Sequence, residues 1–192
     1  MLHRLSNKLR SWAKGWLVFI LFLLDVAFVG FIMPIAAALM KGDAGGPGPI
    51  DLQFFYTPAK VYGMIEAYGE YTRAFYRNVE LTVDIIYPIV YTLFFSLLIT
   101  WLFKRGFAEN STMQILNVVP FGAWLFDLLE NIGIVSMLSV YPSTPAALAW
   151  VTTLFTMIKW LFAGASMILV LIGLMKLVLN VFTKQAPAKA VE

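Results

Sequence analysis

The sequence contains no cysteine and a single histidine, His3. Thiol–disulfide exchange, iron–sulfur ligation and cysteine nucleophiles are therefore excluded, as is a bis-histidine haem inside any apolar segment. Zinc held by nitrogen and sulfur ligands goes with them. Charge is scarce as well: only 13% of the 192 residues are Asp, Glu, Lys or Arg, whereas 60% are hydrophobic. Soluble domains carry about 25% charged residues, and a chain this apolar lacks the polar surface to cover a water-soluble core. There is no Walker loop, no dinucleotide-binding glycine fingerprint after a strand and no nucleophile elbow. Nor is there an internal repeat of the kind that marks inverted transporter halves. Carboxylates, amides, hydroxyls, amines and aromatic rings are left to carry whatever chemistry the chain performs, and the sequence calls for no cofactor.

What the chain does have is apolar residues in blocks long enough to cross a bilayer, for which about 20 residues are needed. Four such blocks run over 16–40, 81–103, 115–140 and 146–175. They predict an all-α integral membrane protein, a bundle of four transmembrane helices forming a single membrane domain over 1–192. The first block is too long for the apolar core of a signal peptide, which runs about 7–15 residues, although Ala36 and Ala38 imitate a cleavage site. It is read as a retained span, with Trp12 and Trp16 at its interfacial end, Asp25 inside it, and Pro34 where a kink is tolerated.

The cations give an orientation. Arg4, Lys8, Arg10, Lys14, Lys104, Arg105, Lys176, Lys184 and Lys189 flank one set of span ends, and Lys41, Lys60, Arg73 and Arg77 share the long segment between the first two spans with several acids. This bias predicts that both termini are cytoplasmic in a cell or bacterial-type inner membrane. The net charge of +3 is then a topology signal, not a phosphate-binding patch, and no nucleic-acid partner is expected. Membrane lipids are the expected surroundings, with a second copy or another membrane protein as a further partner.

Between the first two spans, Lys41–Ile50 is rich in glycine and proline and reads as an exposed linker. Residues 58–78 show an aromatic-rich amphipathic pattern, with Thr57 placed to cap and Pro58 at the first helical position. Such a helix suits the outer membrane interface; alternatively it forms a lid that brings Arg73 or Tyr76 to a ligand. Two prolines in Tyr141–Pro145 enforce a tight turn between the last two spans, and 176–192 reads as a cytoplasmic tail.

The residues out of place in lipid are concentrated in the third span. Asp127, Glu130 and Asn131 stand at i, i+3 and i+4 on one helical face. An acid at the bilayer centre costs about 2.5–3.5 kcal/mol on insertion scales, so that face is expected to look into the bundle or a cavity. Lys159 stands at a similar depth in the antiparallel fourth span, with Thr156 one turn away and Trp160 beside it. Two acids facing one lysine, or three with Asp25, cannot all ionise in low dielectric, so the cluster is expected to hold a proton near neutral pH. Asp127, Glu130, Asn131, Lys159 and Asp25 are the candidate ligand-binding or proton-handling residues. Asp84, Arg73, Thr156, Trp124 and Trp160 are secondary candidates, Asp84 being shallow enough to snorkel or to pair with Arg73 or Arg77. Oxygen ligands for a hard cation are present, but the facing lysine argues against a metal site. The expected function is binding of a small or lipid-like ligand at this cluster, in transport or in chemistry on a lipid. The alternative is an accessory or assembly subunit whose cluster is a structural salt bridge, with the small residues Ala163–Ser166 serving close helix packing.

Overall fold

The structure, a computed structural model, describes residues 1–41 and 46–185. The part of the expected linker at 42–45 and the part of the expected tail beyond 185 lie outside the described residues. Every element is helical; among the described residues there is no strand. Four helical stretches are long and apolar enough to cross a membrane: Gly15–Lys41, Gly69–Gly106, Thr112–Val140 and Ala146–Phe182.

Helix α1 (Leu2–Trp12) is a separate amphipathic helix that the sequence reading did not resolve. It buries Ser6 and Leu9 against a 3-10 turn at Thr112–Val118. The Asn117 amide donates to the Ser6 carbonyl at 3.4 Å and to Thr100 Oγ1 at 2.9 Å, tying that end of the bundle together.

The stretch predicted as the first span is α2 (Gly15–Ala27), a π-helical turn at Phe28–Ile32, and α3 (Met33–Lys41). Pro34 explains the widened turn. It has no N–H to give the Gly30 carbonyl one turn back, and its ring would collide with that carbonyl in a regular α-helix.

The predicted single helix over 58–78 is two helices, α4 (Pro58–Ala67) and α5 (Gly69–Glu80). The break falls at Gly69, whose φ of +68° closes the α-helical path and is readily adopted by glycine alone. Thr57 does cap α4, accepting from the Lys60 N–H at 3.3 Å, with Pro58 following. A second break at Leu81–Thr82 separates α5 from α6 (Val83–Gly106).

Helix α7 (Pro120–Val140) is shorter than the predicted third span, because Pro120 opens the α-helix and 112–118 is 3-10. Helix α8 (Ala146–Gln185) runs ten residues past the predicted end at 175, since nothing from Lys176 to Gln185 breaks a helix. Close packing of α7 on α8 comes from Gly122 and Gly133. A Cβ on Gly133 would stand 2.2 Å from Thr152 Oγ1, and one on Gly122 would stand 2.4 Å from the Phe162 ring. Within the expected small-residue run, Ser166 is buried but Gly164 faces open space.

The hydrophobic interior is divided. At the α1 end, Leu9, Val18, Leu97, Ile99, Leu102 and Phe103 are buried. At the opposite end, Ile50, Tyr56, Ile65, Tyr76, Ile134 and Met137 form a second core. Between them lies a polar layer holding Asp127, Glu130, Thr152, Thr156 and Lys159. The first span packs on α6, and α8 packs on α6 and α7, but no substantial packing joins the first span to α8.

Candidate functional site

Helix periodicity delivers the layer. Asp127, Glu130 and Asn131 share the inner face of α7 and are 9%, 0% and 5% exposed; Lys159 on α8 is 8% exposed. The Lys159 ammonium lies 2.5 Å from Glu130 and 3.6 Å from Asp127, so the antiparallel pairing expected from depth is what the geometry contains. Thr156 donates to Glu130 at 2.7 Å. With its one proton used there, Thr156 Oγ1 accepts from the Tyr56 hydroxyl, 3.4 Å away. Tyr91 donates to the other side of the cluster, reaching Asp127 at 2.8 Å.

Asn131 does something different from its neighbours. Pro88 has no N–H, so the carbonyl of Asp84, one turn earlier, loses its helical partner. The Asn131 amide donates to that carbonyl at 2.6 Å. Its amide nitrogen therefore latches α7 to the start of α6.

The end of the segment expected to be an exposed linker, with Asp51 just beyond it, enters the site. Ile50 is fully buried, and the Asp51 carbonyl accepts from Lys159 at 3.3 Å. The segment is pinned by tyrosines. Tyr76 accepts from the Ile50 N–H and donates to the Asp51 carboxylate, both at 2.8 Å. Tyr68 donates to the Gly48 carbonyl, and the Tyr56 N–H donates to Thr153 at 3.1 Å. Burial pushes the Tyr56 and Tyr68 phenols well above their ordinary range, with the Asp51 and Glu80 carboxylates adding to the effect at Tyr68, so both remain protonated donors. Glycine and proline describe how this segment turns; they give no sign that it folds inward, and Asp51 was missed for that reason.

Glu80 was also missed. It is 1% exposed and neither of its oxygens has a hydrogen-bond donor, the proton of the nearby Tyr76 hydroxyl being directed to Asp51. Asp25 stands apart from the lysine cluster, next to Tyr87 on α6, and among the described residues its Oδ1 has no hydrogen-bond partner. Tyr87 in turn lies edge to face with Tyr91, ring centroids 5.3 Å apart. Asp84, Tyr87 and Tyr91 recur at helical spacing on α6, a pattern visible in the sequence that would have found both tyrosines.

Two secondary candidates fall elsewhere. Arg73 donates to the Ile65 carbonyl at 3.3 Å and lies over the Tyr141 ring, 4.5 Å from its centroid. The lid role for Arg73 or Tyr76 is not what the geometry provides: Tyr76 is a buried anchor for residues 50 and 51. Trp124 packs edge-on against Phe121, and Phe126 stacks on Phe162 within the α7–α8 contact.

The gap between the first span and α8 is a cavity of about 480 Å³. Asp51, Asp84, Asp127, Asn131 and Lys159 form its polar part, and Tyr87, Tyr91, Phe95 and Trp160 supply aromatic walls. Of its lining residues Leu52, Val29 and Trp160 are 60%, 53% and 38% exposed, so the cavity reaches the surface both beside Asp51 and on the apolar flank. A second space of about 270 Å³ shares Tyr91, Phe95, Trp160 and Ala163 and extends toward Pro120 and Met167. The first space gathers its carboxylates beside Lys159, and the second adds an apolar extension next to Trp160 and Ala163. Chemically, the site can hold a molecule with a polar head and a hydrocarbon tail. No family model matches the sequence, and comparison with curated proteins and with solved structures gives no match in either.

Proposed function

We propose that this chain is an integral membrane protein that binds a small amphiphilic or lipid-like molecule, head at the Asp127–Glu130–Lys159 layer and tail along the slot beside Trp160, as a transporter or a lipid-acting protein. In this reading all four long helices cross the bilayer, the cation bias puts both termini in the cytoplasm, and α4 and α5 lie at the outer interface beside the turn at Tyr141–Pro145. The observation that carries the reading is the cavity itself. Its volume falls within the range of about 300–1,000 Å³ usual for ligand sites, its walls are mostly apolar, and its few polar groups converge at one end. Val29 and Trp160 open it on the apolar flank, which in this reading faces lipid, so a hydrophobic ligand can enter sideways there.

The accessory-subunit reading draws support from the contacts of Glu130 with both Lys159 and Thr156. A cluster that only fixes helix register requires no neighbouring space. The two readings separate in native mass spectrometry of the protein released from bilayer nanodiscs. Ligand binding predicts a retained small molecule, lost when Ala163→Trp fills the slot in a protein of unchanged helicity. A bare protein in both cases would leave the accessory-subunit reading standing.

A further inference from the structure

The charges around the cavity do not balance. Asp127 and Glu130 share Lys159, Asp51 has the Tyr76 hydroxyl, and Asp25 has Tyr87. Asp84 lines the cavity, and among the described residues no hydrogen bond or ion pair reaches its carboxyl group. It stands in the first turn of α6, where the helix dipole favours an anion. Of the side chains in the cavity wall, Asp51, Asp84 and Asp127 carry acids and Lys159 alone carries a cation. An anionic head group would meet three acids and one ammonium already shared by Asp127 and Glu130, whereas a cationic one would let an acid that otherwise holds a proton ionise.

The remaining walls narrow the choice of cation. Tyr87, Tyr91 and Trp160 present π systems beside the acids, and aromatic rings next to carboxylates are what an organic ammonium group needs. Among the described residues, no three acids converge closely enough to hold a metal ion. The adjoining second space beside Ala163 and Met167 is apolar and suits an alkyl chain.

We propose that the ligand of this cavity is a cationic amphiphile without an anionic group, an alkylammonium-type molecule whose positive end lies between Asp84, Asp127 and the rings of Tyr87, Tyr91 and Trp160. This rests on the amphiphile-binding reading above and specifies its head group. Asp84 is the counter-ion that selects the charge, and the slot beside Ala163 takes the tail.

The test uses the full chain in uncharged maltoside micelles and three probes with the same tail: decyltrimethylammonium, decanol and decanoate. Binding is followed by tryptophan fluorescence and by the unfolding temperature. The cation is expected to bind about tenfold or more tightly than decanol, a difference of about 1.4 kcal/mol, with decanoate weakest. Asp84→Asn should reduce that preference toward unity while leaving decanol binding in place, and Ala163→Trp should remove saturable binding of all three. If decanol or decanoate binds the unaltered chain as tightly as the cation does, the positive head group is overturned and the amphiphile cavity stands. If no probe binds saturably, both fall. The comparison of probes on the unaltered chain requires no variant to fold.

Discussion

Replacing Lys159 by methionine keeps an apolar stem of similar length and removes the ammonium that two buried acids share. At an effective dielectric of about 20, Coulomb's law gives about 7 kcal/mol for the 2.5 Å contact with Glu130 and about 5 kcal/mol for the 3.6 Å contact with Asp127, most of it offset by desolvation of the ions. Removing one partner of such a group leaves the others buried and unanswered, at a cost of about 3–5 kcal/mol. Glu130 is the more exposed to this loss, because it is fully buried and has only Thr156 left, whereas Asp127 keeps Tyr91 and faces the cavity. Glu130→Gln in the Lys159→Met background should therefore recover most of the loss, and Asp127→Asn should recover most of the remainder. The assay is reversible unfolding in mixed micelles across the cycle of single and double variants. A coupling energy of about 2 kcal/mol or more between positions 130 and 159 is expected. Losses that add within about 0.5 kcal/mol would refute the claim that these side chains act as one electrostatic unit.

The latch at Asn131 predicts an epistatic pair. Asn131→Ala should cost about 1–3 kcal/mol by stranding the Asp84 carbonyl, and much less in a Pro88→Ala background, where the backbone N–H is restored; equal costs in both would show that the amide does something else. Gly133→Ala should cost about 1–3 kcal/mol because its Cβ runs into Thr152, whereas Gly164→Ala, with open space around it, should be neutral or stabilise by up to about 1 kcal/mol; unfolding midpoints that rank them the other way would contradict the α7–α8 contact. Tyr76→Phe removes the hydroxyl that holds residues 50 and 51, and amide exchange at those residues should accelerate about fivefold or more with the helices unaffected, an unchanged rate counting against the pinned segment. Because the chain has no cysteine, Ser11→Cys and Ser143→Cys each introduce a unique thiol. In intact cells an impermeant maleimide should label position 143 and spare position 11, and the reverse pattern would invert the topology.

Much of this architecture is legible in the residues because lipid-length apolar runs leave few alternatives. The helical spacing of Asp127, Glu130 and Asn131 put them on one face, and counting residues from the ends of two antiparallel helices put Lys159 opposite. What spacing did not reveal depends on backbone geometry specific to one place. Gly69 breaks the predicted helix over 58–78 through a positive φ that its neighbours do not announce. Pro34 and Pro88 were visible, but the π turn that accommodates the first and the Asn131 amide that compensates the second exist only in the folded chain. Asp51 joins the site through its backbone carbonyl, a group every residue carries, so no composition rule would single it out. Arg73 and Trp124 satisfy the periodicity of their helices yet contact Tyr141 and Phe121, since periodicity fixes a face and not which neighbour covers it. Asp25 shows the same limit. It lies on α2, which packs on α6, and its carboxyl group neighbours Tyr87 there and not the acids of α7.

The most direct test of the central claim is an experimental map of the protein in a lipid nanodisc at a resolution that shows bound molecules, inspected between Asp84, Lys159 and Trp160. The account predicts an elongated non-protein density with its compact end against the acids and its tail leaving past Ala163 on the apolar flank. A collapsed gap, with the first span packed directly on α8 and no density beside Lys159, would contradict it.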